Sequence, residues 1–389
     1  MNLVSLDKKY IANTYNRFPI EVKSGKGALL YDKNGKEYID LGSGIGVNAF
    51  GYCDESWCDA VKEQISQIQH TSNLYYTEPA VKLARLLCEK TGMKKVFFSN
   101  SGAEANECAI KAARKYASEE KGNDYFTIIT LKNSFHGRTL TTLSATGQDK
   151  FHELYNPLTP GFISIEAENA ERLEKAIEQY KPAAVMLECI QGEGGVIPLS
   201  CEYLQKVRKI TEENDVLLII DEVQTGNGRT GSLYAYMNYG ITPDIVSTAK
   251  GLAGGLPIGA TLLGEKIENI FAFGDHGSTF GANPVCCAAA LSVFERLTDD
   301  FLAQVRKKSE FLFEYFKDKK GIDNVSGMGL MIGLKPIRPA KDIIAEAMEQ
   351  GVLLLSAKDK VRLLPPLNID FELLKKAAEI IAKICEKEN

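Results

Sequence analysis

The sequence of 389 residues predicts an α/β protein with a mainly parallel central sheet. Short, almost wholly apolar runs recur through the middle of the chain, and helical patterns lie between most of them. Strands that are buried on both faces and separated by helices are typical of parallel sheets. Ligands bind beyond the carboxyl ends of such strands, so the residues that follow each run are the first candidates for a functional site. The five runs span 95–99, 126–131, 183–187, 216–220 and 244–248.

The N-terminal region has a different pattern. Asn34-Gly35 lies between the apolar runs 28–32 and 37–41. This arrangement predicts a β-hairpin, because a type I′ turn requires positive φ at both central residues.

The pattern changes again after about residue 288. Helical spacing of apolar residues predicts one helix over 340–350, ended by Gly351, and a last helix that begins after Asp370. These features indicate a smaller α+β domain packed on the large one. The predicted parts are an N-terminal segment that joins the small domain (1–50), a large domain (51–287) and a C-terminal small domain (288–389).

Composition narrows the functional class. The chain is 44% hydrophobic and 25% charged, as in ordinary globular proteins. A net charge of -5 argues against general nucleic-acid binding, which usually requires a basic excess. We found no secretory h-region and no apolar run long enough to span a membrane, so we expect a cytoplasmic protein. The nine cysteines are expected to be reduced thiols, and the four histidines predict no metal site.

The first run is followed by small residues that lead into a helical pattern. Ser101, Gly102 and Ala103 would lie at the helix N-terminus, where free N–H groups and the helix dipole favour a bound anion. The alternative interpretation is a capping box formed by Ser101 and Glu104 without any ligand.

The second run leads to Phe135 and Arg138. The phenyl ring could stack on an aromatic ligand, and the guanidinium could hold a carboxylate through paired N–H groups. Taken alone, these two residues are better explained as a core phenylalanine and a surface arginine.

The fourth run continues directly into Asp221. A carboxylate at the end of a buried strand is costly unless it is paired, and a protonated pyridine nitrogen is one such partner. A Walker-B acid or the ribose-binding acid of a dinucleotide site are alternatives. Neither has its companion glycine-rich motif in this sequence.

The fifth run leads to Lys250, which is followed by glycine-rich sequence. A lysine that forms an imine needs open space and a lowered pKa. Most lysines are instead solvated loop residues. The order of the four strand-end features is more specific than any one of them.

Together, the motifs resemble the class III pyridoxal-phosphate (PLP) aminotransferases, which have PLP fold type I. The resemblance extends over nearly the whole chain, and within the family it is strongest to members that act on N2-acetylornithine. The matching stretches are 100–107, 135–139, 191–195, 221–226, 228–231, 249–251, 257–260, 276–281 and 362–367.

The resemblance implies a set of cofactor contacts. Lys250 would hold PLP as a Schiff base and move the proton during catalysis, while Asp221 would pair with the pyridine nitrogen. The ring would lie between Phe135 and Val223. The remaining implied contacts are Gln224 at the phenolic oxygen, Glu222 in the same stretch, Ser101, Gly102 and Ala103 at the phosphate, and Thr279, a phosphate ligand from the partner subunit.

The resemblance also implies a substrate site in a homodimer. Arg138 and Arg362 would anchor carboxylates, Ser278 would contact substrate, and Glu193 would pair with Arg362 until a second carboxylate displaces it. The implied reaction transfers the ω-amino group of N2-acetylornithine to 2-oxoglutarate, giving glutamate. The segment 44–48 lacks the tyrosine that recognises free ornithine in its aminotransferases, which favours an acylated substrate.

Three alternatives remain open from the sequence. The chain could act on another ω-amine, such as succinylornithine, 4-aminobutyrate, ornithine or a lysine-derived substrate. It could be an aminomutase of the glutamate-semialdehyde type, which needs no external keto acid. It could also be a binding protein that has kept the fold without activity.

Overall fold

The computed structural model describes residues 3–387. The strands in this part of the chain are β1 (Val22–Lys26), β2 (Leu29–Asp32), β3 (Glu37–Asp40), β4 (Lys95–Ser99), β5 (Ile128–Leu131), β6 (Phe162–Ile165), β7 (Ala184–Leu187), β8 (Ile190–Gln191), β9 (Ile197–Pro198), β10 (Leu217–Asp221), β11 (Ile245–Thr248), β12 (Gly259–Leu263), β13 (Ile322–Met328), β14 (Met331–Pro336), β15 (Val352–Leu353), β16 (Leu355–Ala357) and β17 (Lys360–Leu363).

The α-helices within the same residues pack around these strands. They are α1 (Leu3–Tyr10), α2 (Ser43–Gly46), α3 (Glu55–Gln67), α4 (Glu78–Thr91), α5 (Gly102–Lys121), α6 (Leu140–Ala145), α7 (Ala170–Tyr180), α8 (Cys201–Glu213), α9 (Pro284–Phe294), α10 (Asp299–Phe316), α11 (Ala340–Glu349) and α12 (Phe371–Cys385). Within residues 3–387, no helix combines the length and apolar character that crossing a membrane requires.

The central sheet has the order β4-β12-β11-β10-β7-β5-β6. The expected mainly parallel α/β architecture is confirmed, and each of the five apolar runs overlaps one of its strands. Strand β12 runs antiparallel to both of its neighbours, whereas the other pairings are parallel. Two antiparallel steps restore the original direction, so β4 ends at the same edge of the sheet as β5, β7, β10 and β11.

The sequence did not reveal β6 and β12. Strand β6 lies at the edge of the sheet and is only partly buried, so its apolar pattern is weak. Strand β12 begins at Gly259, where a Cβ would come within 2.3 Å of the carbonyl oxygen of Ser101. That close approach requires a glycine, which weakens a strand pattern in sequence.

The predicted hairpin is present as β2 and β3, with Tyr31 opposite Glu37. Strand β15 then pairs in parallel with β3, aligning Val352 with Ile39. The N-terminal segment thereby continues a sheet with a strand from the C-terminal part of the chain. This pairing supports the domain boundaries 1–50, 51–287 and 288–389, which we retain as a proposal.

The two C-terminal helices follow their predicted limits. Gly351 follows α11 with φ of 81°, and the Asp370 carboxylate accepts the N–H groups of Glu372 and Leu373 at the start of α12. Strands β13, β14, β17 and β16 form a separate antiparallel sheet beside these helices. Arg362 lies on β17 of this sheet.

Arg229 connects this C-terminal sheet to the turn after β10. Its side chain is buried, and Nη1 donates to the carbonyl oxygens of Leu330 and Pro365. The backbone carbonyl of Arg229 also accepts the N–H of Leu330. Burial lowers the pKa of Arg229 to about 9, so the guanidinium stays charged at neutral pH. These contacts fix β17, and therefore Arg362, relative to the central sheet.

Candidate active site

A cavity of about 520 Å³ opens at the carboxyl edge of the central sheet. Its walls come from the segments that follow β4, β5, β7, β10 and β11, as the parallel-sheet argument predicts. The lining residues are Val47, Asn100, Ser101, Gly102, Ala103, Asn106, Phe135, His136, Gly137, Arg138, Glu188, Asp221, Val223, Gln224, Ala249, Lys250, Gly255, Leu256, Pro257 and Ile258.

Asp221 lies at the bottom of this cavity and is almost fully buried. Its Oδ2 accepts hydrogen bonds from Asn106 Nδ2 and lies near His136 Nδ1, each at 2.8 Å. Its Oδ1 accepts the N–H of Val223 at 3.0 Å. Three contacts therefore hold the carboxylate in one orientation. Asn106 and His136 have no role predicted from the sequence, although both lie in the matching stretches 100–107 and 135–139.

Lys250 follows β11 and is held in an unusual backbone conformation, with φ of 45°. Burial lowers the pKa of Lys250, although the nearby Glu193 and Asp221 carboxylates act in the opposite direction. A lowered pKa leaves more of the amine neutral and nucleophilic. Asn227 fixes the segment before it, since Asn227 Nδ2 donates to Thr248 Oγ1 at 3.0 Å and to the Ala249 carbonyl oxygen at 3.1 Å.

The first turn of α5 forms another wall of the cavity. Ser101 Oγ accepts the N–H of Glu104 at 3.2 Å, while Glu104 Oε2 accepts the N–H of Asn100 at 2.5 Å. The capping interaction is therefore present, but it reaches back one residue further than a standard capping box. Gly102 and Ala103 still line the cavity, and the first N–H groups of a helix have no acceptor within it.

Gly102 also fixes the position of the neighbouring β10 segment. A Cβ at this position would lie 2.6 Å from Val223 Cγ1. The absence of a side chain thus lets Val223 pack directly over the start of α5. Val223 and Phe135 are both part of the cavity wall, as expected for two side chains that enclose a flat ring.

Arg138 lies at the mouth of the cavity and is exposed. Its guanidinium carbon is 6.0 Å from the centre of the Phe135 ring and 5.1 Å from the centre of the Phe151 ring. Cation–π contacts of this kind hold the planar guanidinium without using its N–H groups. Those N–H groups are available for a carboxylate.

Arg362 and Glu193 form an ion pair beside the cavity, with Nη1 and Oε1 2.5 Å apart. Arg362 Nη1 also donates to Gln224 Oε1 at 3.0 Å, and Gln224 Nε2 lies 3.4 Å from Glu193. Burial raises the pKa of Glu193, but the charge of Arg362 and its hydrogen bond outweigh that effect and lower the pKa overall. The buried guanidinium retains one unpartnered nitrogen, Nε.

Ser278 and Thr279 lie apart from the cavity that the described residues of one chain enclose. Ser278 Oγ accepts hydrogen bonds from Asn100 Nδ2 at 3.0 Å and from the N–H of Gly281 at 2.9 Å. Thr279 is exposed and lines a separate surface depression with Asn73. A phosphate contact from Thr279 would therefore have to be made across a subunit interface.

Glu222 is the one predicted cofactor contact that faces the protein core. Its Oε1 accepts the N–H of Tyr236 at 2.9 Å, and its Oε2 accepts the hydroxyl of Thr225. Adjacent side chains of a strand point to opposite sides, so Asp221 and Glu222 cannot both face the cavity. Glu222 therefore lies in the core and does not line the cavity, so the prediction that it contacts the cofactor is wrong.

The buried Glu222 leads to a prediction about stability and pH. Burial raises the pKa of Glu222 to about 7 from an ordinary value of 4.5. Between these values the folded protein holds a proton that the unfolded chain has released, so stability falls as pH rises through this window. Across this window the free energy of unfolding of the wild type should fall by about 3 kcal/mol because of Glu222, and Glu222→Gln should abolish that fall.

Urea unfolding of the wild type and Glu222→Gln at pH 5, 6, 7 and 8 would measure this difference. The amide should remain satisfied, because it can accept from Tyr236 and donate to Thr225. Equal pH dependence in the two proteins would show that Glu222 is ionised in the folded state throughout this range.

The geometry places an acid, a lysine, the first turn of a helix and Arg138 around one cavity, with Arg362 beside it. A sequence model of the aminotransferase class-III family matches residues 10–385. The chain belongs to the class III aminotransferases. It therefore has PLP fold type I and is a PLP-dependent enzyme.

Individual class III aminotransferases resemble the chain over almost its full length. The acetylornithine aminotransferase of Haemophilus ducreyi is 49% identical, with 97% of each chain covered. The N-acetylornithine aminotransferase of Stenotrophomonas maltophilia has a solved structure with a TM-score of 0.85, 35% identity and 98% coverage of each chain. The ornithine aminotransferase of Toxoplasma gondii has a TM-score of 0.94 and 30% identity, covering 98% of this chain and 94% of its own.

The residues of the cavity fit PLP. The buried Asp221 carboxylate suits a protonated pyridine nitrogen, and Lys250 suits a carbonyl carbon. The start of α5 suits a phosphate, because its first N–H groups have no acceptor within the helix. Phe135 and Val223 would enclose the ring, and Gln224 would contact its polar edge.

Proposed function

We propose that this class III aminotransferase transfers the ω-amino group of N2-acetylornithine to 2-oxoglutarate. The products would be N-acetylglutamate 5-semialdehyde and glutamate, a reaction of arginine biosynthesis. The observation that carries this proposal is the Arg362–Glu193 ion pair beside the exposed Arg138. Arg138 is open to a carboxylate, whereas Glu193 masks the charge of Arg362. This arrangement suits two substrates of which one has a single carboxylate and the other has two.

The side chains divide the catalytic work. PLP, when bound, supplies an electron sink for the carbon that carries the amino group. Asp221, oriented by Asn106 and His136, keeps a positive charge on the facing ring nitrogen. Lys250 acts as the general base and acid that moves the proton, and its lowered pKa suits that task.

The arginines orient the two substrates. The α-carboxylate of acetylornithine binds Arg138 while Glu193 keeps the charge of Arg362 neutralised. The second carboxylate of 2-oxoglutarate displaces Glu193 and binds Arg362 directly. A guanidinium binds a carboxylate through paired N–H groups. Arg138 can therefore hold one carboxylate of the substrate in both half-reactions.

The segment before the cavity supports an acylated amine. Ser43, Gly44, Ile45 and Gly46 all have positive φ, so the short element α2 is a left-handed turn and not a right-handed helix. Val47 follows this turn and lines the cavity. No tyrosine lies in 44–48 to recognise a free α-amino group. The high TM-score to an ornithine aminotransferase does not oppose this choice, because the backbone is shared and side chains select the substrate.

We also propose that the protein acts as a cytoplasmic homodimer. Thr279 and Ser278 would then reach the partner's cavity. The proposal of a dimer is supported by the absence of both residues from the lining of their own chain's cavity. Sedimentation of the purified protein should give twice the chain mass of 42.8 kDa, and a monomer with full activity would contradict a shared site.

A panel of amines at fixed 2-oxoglutarate would test the proposed substrate. Acetylornithine should give the highest kcat/KM among acetylornithine, succinylornithine, ornithine, lysine-derived amines and 4-aminobutyrate. A clear preference for 4-aminobutyrate or ornithine would reject the proposal. Turnover of glutamate semialdehyde without a keto acid would instead identify an aminomutase.

Removing the charge of Glu193 should change which substrate the enzyme prefers. We expect Glu193→Gln to lower kcat/KM for acetylornithine by about tenfold or more, because Arg362 would keep an unpaired charge near an uncharged part of that substrate. The KM for 2-oxoglutarate should fall, since its carboxylate no longer competes with Glu193. Steady-state kinetics with each substrate would measure both changes.

The exposed Glu295 provides a matched control, because Glu295→Gln removes the same charge outside the cavity. Both kinetic constants should stay near the wild-type values in that variant. Equal losses for acetylornithine and 2-oxoglutarate in Glu193→Gln would rule out the masking role.

A further inference from the structure

Glu188 is a buried acid in the cavity wall to which the proposed reaction gives no role. It follows β7 directly and is 5% exposed. Its Oε1 accepts the N–H of Phe135 at 2.9 Å, and its Oε2 accepts the N–H of Gly192 at 3.1 Å. One carboxylate therefore joins two backbone segments that come from different parts of the chain.

One of these segments carries a substrate anchor, and the other carries the residue that masks the second anchor. Phe135 begins the turn that leads to Arg138, and Gly192 directly precedes Glu193, the partner of Arg362 on β17. A shift of the first segment would therefore move Arg138 relative to both Glu193 and Arg362.

The segments also approach each other closely on both sides of Glu188. Gln191 Nε2 donates to the carbonyl oxygen of Lys132 at 2.9 Å. A Cβ at Gly194 would lie 2.8 Å from the carbonyl oxygen of Asn133. The two turns are thus packed without space for a side chain at this position, and the carboxyl group of Glu188 joins them through its two hydrogen bonds.

Folding stability alone does not account for a carboxylate at this position. A buried carboxylate is unfavourable compared with a neutral side chain unless its hydrogen bonds compensate for the lost hydration. Burial raises the pKa of Glu188 to about 7, with the Asp221 carboxylate acting in the same direction and His136 in the opposite one. Lys250 and Cys189 are the other titratable groups that interact with it. What only a carboxylate provides is two acceptor oxygens for two N–H donors.

We propose that Glu188 is a positioning residue that fixes the Arg138 turn against the Glu193 turn, so that Arg138 stays at a fixed separation from Arg362, which β17 carries. This inference rests on the proposed function of Arg138 and Arg362 as anchors. It concerns ligands that span both anchors, which are five-carbon dicarboxylates. A ligand with one carboxylate needs only one anchor and should be insensitive to the register.

Glu188→Gln tests the inference because the amide has one acceptor oxygen and one NH₂ group. The NH₂ group would face an N–H donor, so one of the two segments must be released. Glu222→Gln is the matched control: it replaces an equally buried glutamate that also accepts a backbone N–H, but one that faces the core. Both variants would be studied as cofactor-loaded protein.

Hydrogen–deuterium exchange with mass spectrometry provides a readout that does not depend on activity. Peptides that cover 133–138 or 190–195 should exchange about tenfold faster in Glu188→Gln than in the wild type. The same peptides should be unchanged in Glu222→Gln. Unchanged exchange in Glu188→Gln would overturn the inference.

Inhibition by glutarate and by butyrate provides the second readout. The inhibition constant of glutarate should rise about tenfold in Glu188→Gln, while that of butyrate should change less than threefold. If glutarate fails to inhibit the wild type, the anchors of the proposed function are wrong. If glutarate inhibits the wild type and Glu188→Gln equally, the anchors stand and the positioning role of Glu188 is wrong.

Glu188→Asp keeps the test decisive if Glu188→Gln does not fold. Aspartate retains both acceptor oxygens but is shorter by one methylene, so it cannot reach both segments at once. It should give the same selective increase in the glutarate inhibition constant. Wild-type values for both inhibitors in a folded Glu188→Asp protein would contradict the positioning role.

Discussion

Replacing Lys250 with alanine should lower the transamination rate on the order of 10⁴-fold. Lys250 provides both the amine that binds PLP and the base that moves the proton, and alanine can do neither. Its position after β11, its burial-lowered pKa and its place in the cavity wall all support these roles. Stopped-flow measurement of the acetylornithine half-reaction would give the loss directly.

A structural readout should accompany the rate. After borohydride reduction, mass spectrometry should find the cofactor attached to the peptide that contains residue 250 in the wild type, and no attachment in Lys250→Ala. Lys308 is a suitable control, since burial also lowers its pKa but it lies on α10, outside the cavity wall. Lys308→Ala should keep the rate within about threefold of wild type. A near-wild-type rate in Lys250→Ala would refute its assignment.

Replacing Asp221 with asparagine should lower kcat on the order of 10³-fold. The amide is nearly isosteric but neutral, so it can no longer hold a positive charge on the ring nitrogen. It would also turn an NH₂ group toward the donors that now bind the carboxylate, which include Asn106 Nδ2 and the N–H of Val223. Single-turnover kinetics would separate this effect from weaker cofactor binding.

Asp244 offers a matched control at the other end of the sheet. It precedes β11, pairs with Arg208 at 2.8 Å and accepts the N–H of Leu218 at 2.8 Å. Asp244→Asn should lower stability through the lost ion pair and leave kcat within about threefold of wild type. Similar losses of kcat in both variants would mean that Asp221 acts only through the fold.

The strand-end residues show how far local sequence patterns can lead. Asp221 and Lys250 follow apolar runs that are buried because the sheet is covered on both faces. Such runs are readable without knowing the fold, and parallel strands end at a common edge. Glu188 likewise follows β7 directly, so the sequence already carries the signal for a site residue at this position.

Other functional positions depend on segments that are distant in the chain. His136 and Asn106 meet Asp221 only because β5, α5 and β10 converge. Their side chains belong to common residue types, and nothing nearby in the sequence specifies a partner. The direction of Glu222 was likewise open until the strand geometry placed it in the core.

By itself, the sequence determined the α/β class, the strand ends, and a resemblance that assigned PLP to Lys250 and Asp221. These features follow from local periodicity and from short motifs, both of which are written in neighbouring residues. Only the tertiary structure decided the separation of Arg138 from Arg362, the ion pair with Glu193, and the link through Glu188. The first two depend on how a second sheet, held by Arg229, packs against the first, and such packing joins residues more than a hundred positions apart. The Glu188 link depends on the pairing of β5 with β7, which brings the segments after these two strands together.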